Sequence, residues 1–346
     1  MITIKDIADE IGVSTAIVSI VLSGRSAANK RASPELATKI KAVAAEFGYT
    51  PNVSARALSK KRQNTICMLA SRKTGQAEST DASATLFGVS KVLSANSFRT
   101  VLQYFETEEE FTGCIGNLRR QFMDGVVVDP GWIFNPEKYR DSIEQKGLPT
   151  LFFLQNAAEN IFDIGINHDE VSTVATEHLV ARGCKKIAFF DMGGAAGQLR
   201  LEGYQKAIAN AGMQFDKRMI CHLSGKDKYK PAIADRGIGK MIEAGIRFDG
   251  IVAASDGQAF VLLHRLQSLG IKVPEDVKII GVDNSPICEL SFVKISSVSG
   301  QPELRGEIAA RKLLHRIAPE EFDGGAAGEI TNIPPKVVAR ESTLKN

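Results

Sequence analysis

The chain has 346 residues, of which 44% are hydrophobic, and its formal net charge at pH 7 is +3. This length and hydrophobic content support two or three domains with cores and exclude an intrinsically disordered chain. Residues 1–62 carry ten Lys and Arg against five Asp and Glu, a net charge of +5, whereas the remainder carries −2. A basic N-terminal segment indicates a polyanionic partner, although an ordinary solvated surface can have the same composition.

The five cysteines are scattered along the chain, and most of them stand in apolar runs. This pattern predicts reduced core thiols in a cytoplasmic protein rather than a disulfide framework. The N-terminus begins directly with a helical pattern, and no apolar run is long enough to span a bilayer. We therefore expect no membrane association, and we expect neither a secreted nor a periplasmic binding protein.

The N-terminal stretch predicts two short helices around a tight turn. Ile4, Ile7 and Ile11 share one face of the first helix, and Gly12 can adopt the positive φ that ends it. Ser14 supplies an N-cap oxygen for the second helix. The outer face of that helix is small and uncharged. This plan is typical of a helix-turn-helix, whose second helix enters the major groove, although a plain helical hairpin has the same pattern.

A third helix and a basic linker follow. Ser33 and Pro34 predict a helix start, a helical apolar stripe continues to Phe47, and Gly48 ends it. In the linker, Asn52 can cap a short helix that is marginal in water by itself and can order on contact with DNA. A flexible hydrophilic linker is the alternative.

From Thr65 onward the pattern alternates between strands and helices. The predicted strands are Ile66–Ala70, Thr100–Tyr104, Gly125–Asp129, Thr150–Leu154, Lys186–Asp191, Gly250–Ala254 and Val277–Val282. The predicted helices are Ala84–Ala95, Glu108–Gln121, Asp169–Arg182, Leu199–Ala211, Pro231–Ala244, Gln258–Leu269 and Glu303–Ile317. Repeated βα units predict α/β architecture with parallel, doubly wound sheets, and the length favours two sheets. Ligands of such sheets bind at the carboxyl ends of the strands.

Seven motifs occur in the order typical of one protein family. They are Thr3-Ile4-Lys5-Asp6-Ile7-Ala8 with Gly12-Val13-Ser14, the linker motif Gly48-Tyr49 to Leu58, Asp124-Gly125-Val126-Val127, Arg200-Leu201-Glu202-Gly203-Tyr204, Val273-Pro274-Glu275-Asp276-Val277, Gly281-Val282-Asp283-Asn284 and Val338-Ala339-Arg340-Glu341-Ser342-Thr343. The sequence thus resembles the LacI/GalR family of bacterial transcription regulators over nearly its whole length.

The resemblance implies a homodimer in which each chain has a DNA-binding head, a hinge helix and a core of periplasmic-binding-protein type. It predicts a three-helix head at 1–48 and a hinge at 49–62. The first core subdomain would comprise 63–162 and 294–323, and the second 163–293 and 324–346. A small molecule in the cleft would change closure of the core, order or disorder the hinges, and so control operator affinity.

For DNA, the resemblance implies contacts to a palindromic operator from Ser14, Thr15, Ala16, Ser19, Ile20, Arg25, Asn52, Ala55, Arg56 and Leu58. Ile20 replaces the family's usual polar or basic residue; it can pack on a thymine methyl, or it can be a core residue. Arg25 is expected to contact phosphate. Leu58 is expected to wedge into the minor groove at the operator centre.

For the effector, the resemblance implies a sugar or sugar derivative bound by Arg200, Asp256 and Asp283, which all follow predicted strands. A guanidinium and two carboxylates can hold vicinal hydroxyls, although Asp256 can also simply cap a helix. Ser255 stands where the family usually has Asn. Gln155 and the single Trp132 follow two further strands, and Trp132 either stacks on a ligand or covers the core.

Enzyme motifs are absent from the sequence. It contains no G-x-G-x-x-G, no G-x-x-x-x-G-K-[ST], no G-x-S-x-G and no Cys/His cluster with metal-ligand spacing. We therefore predict a regulator, most simply a repressor, that is not an enzyme and has no cofactor and no metal. The alternative is a sugar-binding protein that does not control DNA, against which the basic head and hinge argue.

Overall fold

The computed structural model describes residues 2–22, 32–49, 62–71, 80–118, 123–129, 147–154, 164–191, 193–223, 231–322 and 332–344, together with the isolated positions 139, 143 and 145. The chain divides into two compact units, Met1–Gln63 and Asn64–Asn346. Each unit is considered by itself below.

The N-terminal unit contains three described helices, α1 (Ile4–Ile11), α2 (Thr15–Leu22) and α3 (Pro34–Glu46). Ser33 caps α3 by accepting a hydrogen bond from the backbone N–H of Leu36, as predicted. Helix α1 begins with a capping box that the sequence analysis did not identify, in which Thr3 and Asp6 satisfy each other's backbone N–H groups. Apolar side chains from all three helices form a common hydrophobic core, although the unit is small.

The larger unit is built from alternating strands and helices. Its described helices are α4 (Thr80–Ala95), α5 (Glu108–Leu118), α6 (His168–Ala181), α7 (Gly194–Asn210), α8 (Pro231–Glu243), α9 (Asp256–Ser268), α10 (Ile287–Leu290) and α11 (Pro302–Ile317). Its described strands are β1 (Thr65–Ser71), β2 (Arg99–Phe105), β3 (Gly125–Asp129), β4 (Thr150–Leu154), β5 (Ile164–Gly165), β6 (Ile187–Asp191), β7 (Ile220–His222), β8 (Gly250–Val252), β9 (Lys278–Val282), β10 (Ser296–Ser299) and β11 (Lys336–Val338).

The strands form two sheets, as predicted. The first has the order β2-β1-β3-β4-β5 and is parallel throughout. The second has the order β11-β10-β9-β8-β6-β7 and is parallel except for the antiparallel pair β10 and β11. Two open α/β sheets place their ligand-binding edges where the carboxyl ends of the strands meet.

Both faces of each sheet are buried at its central strands, which explains their continuous apolar runs, whereas the edge strand β2 is largely exposed. In β1, Ile66 and Met68 pack under α4 and α11, whereas Cys67 and Leu69 pack under α5. Successive side chains of a strand point to opposite faces, so one short strand contributes to two cores. The second sheet is covered in the same way by α8 and α9 on one face and by α6 and α7 on the other.

Two helix pairs pack so closely that glycine is required at their contacts. A Cβ at Gly203 of α7 would lie 1.9 Å from the carbonyl oxygen of Asp169 in α6. A Cβ at Gly88 of α4 would lie 2.0 Å from the carbonyl oxygen of Glu303 in α11. Backbone-to-backbone contact of this kind fixes how each helix pair lies on its sheet.

The chain passes between the two sheets three times, at 166–167, 300–301 and 334–335. These positions differ from the predicted boundaries at 163, 294 and 324. Strand β5 extends the first sheet, β10 pairs with β9 in the second sheet, and Ile333 packs in the first subdomain's core. The predictions erred because β5 and β10 are short and lack a recognisable apolar pattern.

Candidate functional sites

The turn between α1 and α2 has the conformation that its sequence predicts. Gly12 has a φ of 74°, and its N–H donates to the carbonyl oxygen of Ala8. The Ser14 hydroxyl accepts from the backbone N–H of Ile17 at 3.4 Å. Gly12 and Ser14 thus end one helix and begin the next within three residues, which is helix-turn-helix geometry.

Helix α2 presents a small, polar face. Val18 and Val21 are buried in the head's core, whereas Thr15, Ala16 and Ser19 are exposed, as is Ser14 before the helix. Ile20 is half-buried and lies outside that core cluster. This placement favours a surface role for Ile20 over the core role that the sequence left open.

Several predicted site residues cannot be placed. Arg25 and the hinge residues Asn52, Ala55, Arg56 and Leu58 lie outside the described residues, as do the predicted effector residues Gln155 and Trp132. Their roles stay predictions.

In the larger unit, predicted effector residues converge at one edge of the second sheet. Strands β6, β8 and β9 are neighbours. Arg200 lies in the second turn of the helix after β6, Ser255 and Asp256 follow β8, and Asp283 follows β9. The carboxyl ends of adjacent parallel strands meet at one edge, so these residues lie near one another there.

The guanidinium of Arg200 is buried and fixed by acceptors on both sides. Its Nη1 donates to the carbonyl oxygen of Ala254 at 2.8 Å, and its Nε donates to Nδ1 of His168 at 3.3 Å. The carbonyl contact ties α7 to the loop after β8. Arg200 is therefore pre-organised, since its orientation is set by the protein before any ligand arrives.

Asp283 stands in a strained loop. Its φ is 105° and that of Asn284 is 53°, values that side chains other than glycine rarely adopt. The N–H of Asn284 donates to the Ser297 hydroxyl, and the Asn284 side-chain oxygen accepts from Arg340. Strain of this kind persists only where surrounding contacts over-determine the backbone, and it is concentrated at functional sites.

Asp256 helps to hold the backbone of the Asp283 loop and is not exposed. It is buried, and its carboxylate accepts from the Ser285 N–H at 2.6 Å and from the Ser297 hydroxyl at 2.5 Å. The N-cap of α9 is Ser255, whose hydroxyl accepts from the N–H of Gln258. The helix-capping alternative for Asp256 is therefore wrong, because its neighbour occupies that position.

Two site residues were missed by the sequence analysis. His168, the first residue of α6, is buried against Arg200, and burial together with the charges of Arg200 and Arg305 lowers its pKa to about 3. The ring is thus neutral and accepts at Nδ1, which places its proton on Nε2. No signal in the sequence marked His168, because its role depends on an arginine 32 residues away.

Arg305 is the second missed residue, and it lies on the first-subdomain side. Its Nη2 donates to Asp81 at 2.6 Å and to Thr85 at 3.0 Å, both on α4. Its guanidinium also lies 5.7 Å from the centre of the Phe153 ring, at the end of β4. Arg305 influences the pKa of both His168 and Asp283. Charged groups of both subdomains therefore act on one site, the core cleft.

The electrostatics of the core cleft favour a protonated Asp283. Burial raises the pKa of Asp283 to about 8; Arg200 and Arg305 oppose this rise, and the carboxylates of Asp256 and Asp81 add to it. Burial likewise raises the pKa of Asp256, against the hydrogen bonds from Ser297 and Ser285. A protonated Asp283 can donate as well as accept, which suits a hydroxyl-bearing ligand.

The raised pKa of Asp283 predicts a pH-dependent contribution to stability. Between about pH 4 and pH 8 the folded chain holds a proton that the unfolded chain releases, so this contribution declines as pH rises through that window and is constant above it. Asp283→Asn lacks this dependence. The melting temperature of the variant relative to the wild type should increase between about pH 5 and pH 8 and then level off. Calorimetry in a pH series measures this difference, and a constant difference would contradict it.

Within the described residues, no group of three His, Cys, Asp or Glu side chains could hold a metal ion. All five cysteines are free thiols. Among the described helices, none is both long and apolar enough to cross a membrane.

Comparison with known proteins assigns both units. Residues 3–52 match the sequence model of bacterial regulatory proteins of the lacI family, and residues 176–343 match a periplasmic binding protein-like domain. The chain is a member of the LacI family. The three-helix head and the two-sheet core of this LacI-family regulator are thus confirmed as the predicted fold.

Full-length relatives agree with this assignment. The regulator is 29% identical to the HTH-type transcriptional regulator CelR of Thermobifida fusca over 327 residues, which cover 92% of each chain. A solved structure of a CelR–cellobiose complex has a TM-score of 0.65 at 25% identity and covers 99% of this chain and 100% of the other. A lac repressor dimer bound to operator and the anti-inducer ONPF has a TM-score of 0.75 at 21% identity, with 99% of each chain covered. The relatives that the regulator matches along nearly its whole length are thus transcriptional regulators.

Proposed function

We propose that this regulator is a cytoplasmic repressor that occupies a palindromic operator and changes its operator affinity when a sugar binds in the core cleft. The observation that carries the proposal is the convergence of Arg200 and Asp283 at one sheet edge, in a chain that also has a helix-turn-helix head. The free thiols fit a reducing compartment.

At the DNA end, the exposed face of α2 supplies the base contacts. Ser14, Thr15 and Ser19 offer hydroxyls, and Ala16 allows close approach to the groove. Ile20 packs on a thymine methyl, which gives this head a preference for A·T pairs at that position. Arg25 positions a phosphate, while Asn52, Ala55, Arg56 and Leu58 form the hinge that bends the operator centre. Readout by methyl contacts and bendability replaces much of the usual hydrogen bonding.

At the effector end, the roles are divided between contact and support. Arg200 donates to sugar hydroxyls, and Asp283 exchanges hydrogen bonds with them as donor or acceptor. Asp256 is a positioning residue, because its carboxylate holds the loop of Asp283. Ser255, Gln155 and Trp132 complete the proposed contacts. Cellobiose, the ligand in the CelR complex, is the first sugar to test.

The alternative is a sugar-binding protein that does not control DNA. Its head would then have no DNA-binding role, and the exposed face of small, uncharged side chains on α2 would have no function. Selection of genomic fragments by the purified full chain separates the two functions. The regulator should retain one palindromic sequence at moderate salt and release it with one member of a sugar panel; failure to retain any DNA would support the alternative.

Arg200→Met tests the effector site. Methionine keeps much of the side-chain length but removes every charge-assisted hydrogen bond, so sugar affinity should fall roughly 10- to 100-fold. Operator binding without sugar should be unchanged. Titration calorimetry with the sugar found in the panel measures the first quantity, and fluorescence anisotropy with operator DNA measures the second.

Arg247→Met is the matched control, because Arg247 is exposed on the same subdomain. It should leave both affinities at wild-type values. A wild-type sugar response from Arg200→Met, with a folded circular-dichroism spectrum, would refute the proposed role of Arg200.

A further inference from the structure

A second cavity lies at the far edge of the second sheet. Strand β7 is the last strand of that sheet and pairs only with β6 within the described residues. Helix α8 crosses it closely, since a Cβ at Gly237 would lie 2.5 Å from the sulfur of Cys221. Beside this crossing is a cavity of about 540 Å³, here named the edge cavity.

The inner wall of the edge cavity is apolar. Leu223 and Met241 are buried and Ile233 is half-buried, and all three line the cavity. The Cys221 thiol lies among them, and burial raises its pKa to about 11, so it adds no negative charge. A volume of this size lies in the range of small-molecule sites, and its wall suits a compact hydrocarbon group.

The rim of the edge cavity is cationic. Arg236 and Lys240 lie one turn apart on α8, are exposed, and form no ion pair with any described residue. Two further basic residues on the rim, Arg218 and His222, are each paired with a carboxylate outside the cavity. No Asp or Glu is among the described lining residues. Among the described residues, the rim therefore has uncompensated positive charge next to an apolar wall.

We propose that the edge cavity binds a small organic anion with an apolar body, of the arylalkyl carboxylate class. The apolar body lies against Ile233 and Met241, and the carboxylate lies between Arg236 and Lys240. This site is distinct from the core cleft, whose residues Arg200 and Asp283 lie on helix α7 and on the loop after β9. It gives the regulator a second ligand of a chemistry unlike that of a sugar.

The test uses the full chain labelled at the methionine methyl groups, with 4-phenylbutyrate as the probe and 4-phenylbutanol as its neutral analogue. Phenylbutyrate should shift the Met241 methyl resonance saturably and leave Met68, in the first subdomain's core, unmoved. Phenylbutanol should bind about tenfold more weakly, as should phenylbutyrate to Arg236→Gln/Lys240→Gln. Arg247→Gln, which removes an exposed charge outside the cavity, should bind like the wild type.

Two outcomes would overturn the site. One is the absence of a saturable Met241 shift with either probe. The other is equal affinity of phenylbutyrate for the wild type and Arg236→Gln/Lys240→Gln, because the rim charges would then be irrelevant. Ile233→Trp provides a further check that does not depend on charge, since the indole should fill the cavity and abolish the Met241 shift. Retained binding in that variant would also refute the location.

Discussion

Ala16→Glu is expected to abolish specific operator binding. Ala16 is exposed on α2 between Thr15 and Ser19, on the face proposed to enter the major groove. A carboxylate there is repelled by the DNA phosphates, and the longer side chain fills the space that Ala16 leaves for close approach to the groove. Like-charge contact in an interface costs several kcal/mol, which is a loss of affinity of roughly a hundredfold or more. Fluorescence anisotropy with the selected operator at fixed salt measures the loss.

Ala42→Glu is the matched control, since Ala42 is exposed on α3 and is separated by half a helical turn from the buried residues Ile40 and Ala44. It adds the same charge to the same unit on a face that points away from the core shared with α1 and α2. Operator affinity should decline only by the few-fold expected from a changed net charge. Equal losses in the two variants would argue against α2 as the reading helix.

Gly203→Ala is expected to destabilise the core unit by about 3 kcal/mol. The added Cβ would lie 1.9 Å from the backbone oxygen of Asp169, and neither helix can yield without disturbing its own packing. The same displacement would move Arg200, one turn earlier on α7. Scanning calorimetry should show a melting temperature lower by roughly 5 °C or more.

Gly239→Ala provides the opposite expectation. Gly239 lies inside α8, and a Cβ there would meet no atom within 4 Å. Alanine restricts the unfolded chain without strain in the folded one, so this variant should be stabilised by about 0.5 kcal/mol. Similar melting temperatures for the two variants would mean that the contact between α6 and α7 is not rigid.

Long apolar strands and striped helices were predictable from the sequence, and short strands were not. Gly125–Asp129 and Thr150–Leu154 were predicted with their observed bounds. Strand β10 reads Ser-Ser-Val-Ser, a polar segment with no strand signal. It is nevertheless buried, because the backbone N–H of Ser296 donates to the Ser342 hydroxyl and the Ser296 hydroxyl shares a hydrogen bond with that of Thr343. The strand conformation of this segment therefore depends on hydrogen-bond partners more than forty residues away in the sequence.

Of the residues in the core cleft, some were likewise predictable from the sequence and others were not. Arg200 and Asp283 were predicted from the family resemblance and from their places after predicted strands, whose carboxyl ends meet at one edge of a parallel sheet. His168 and Arg305 stand at or near helix N-termini and carry no such signal. The supporting role of Asp256 depends on contacts with Ser285 and Ser297, which only the folded chain brings together.

Because the chain passes between the two sheets, the first subdomain can finish folding only late in synthesis. The first sheet's long strands end at Leu154, but one of its faces is covered by Ile308 and Leu313 of α11. About 150 residues separate these parts, which is roughly ten to thirty seconds of translation. Until then only α4 covers Ile66 and Met68, so the nascent chain exposes part of an apolar sheet face. This regulator should therefore depend on chaperones more than a protein of equal size with contiguous domains.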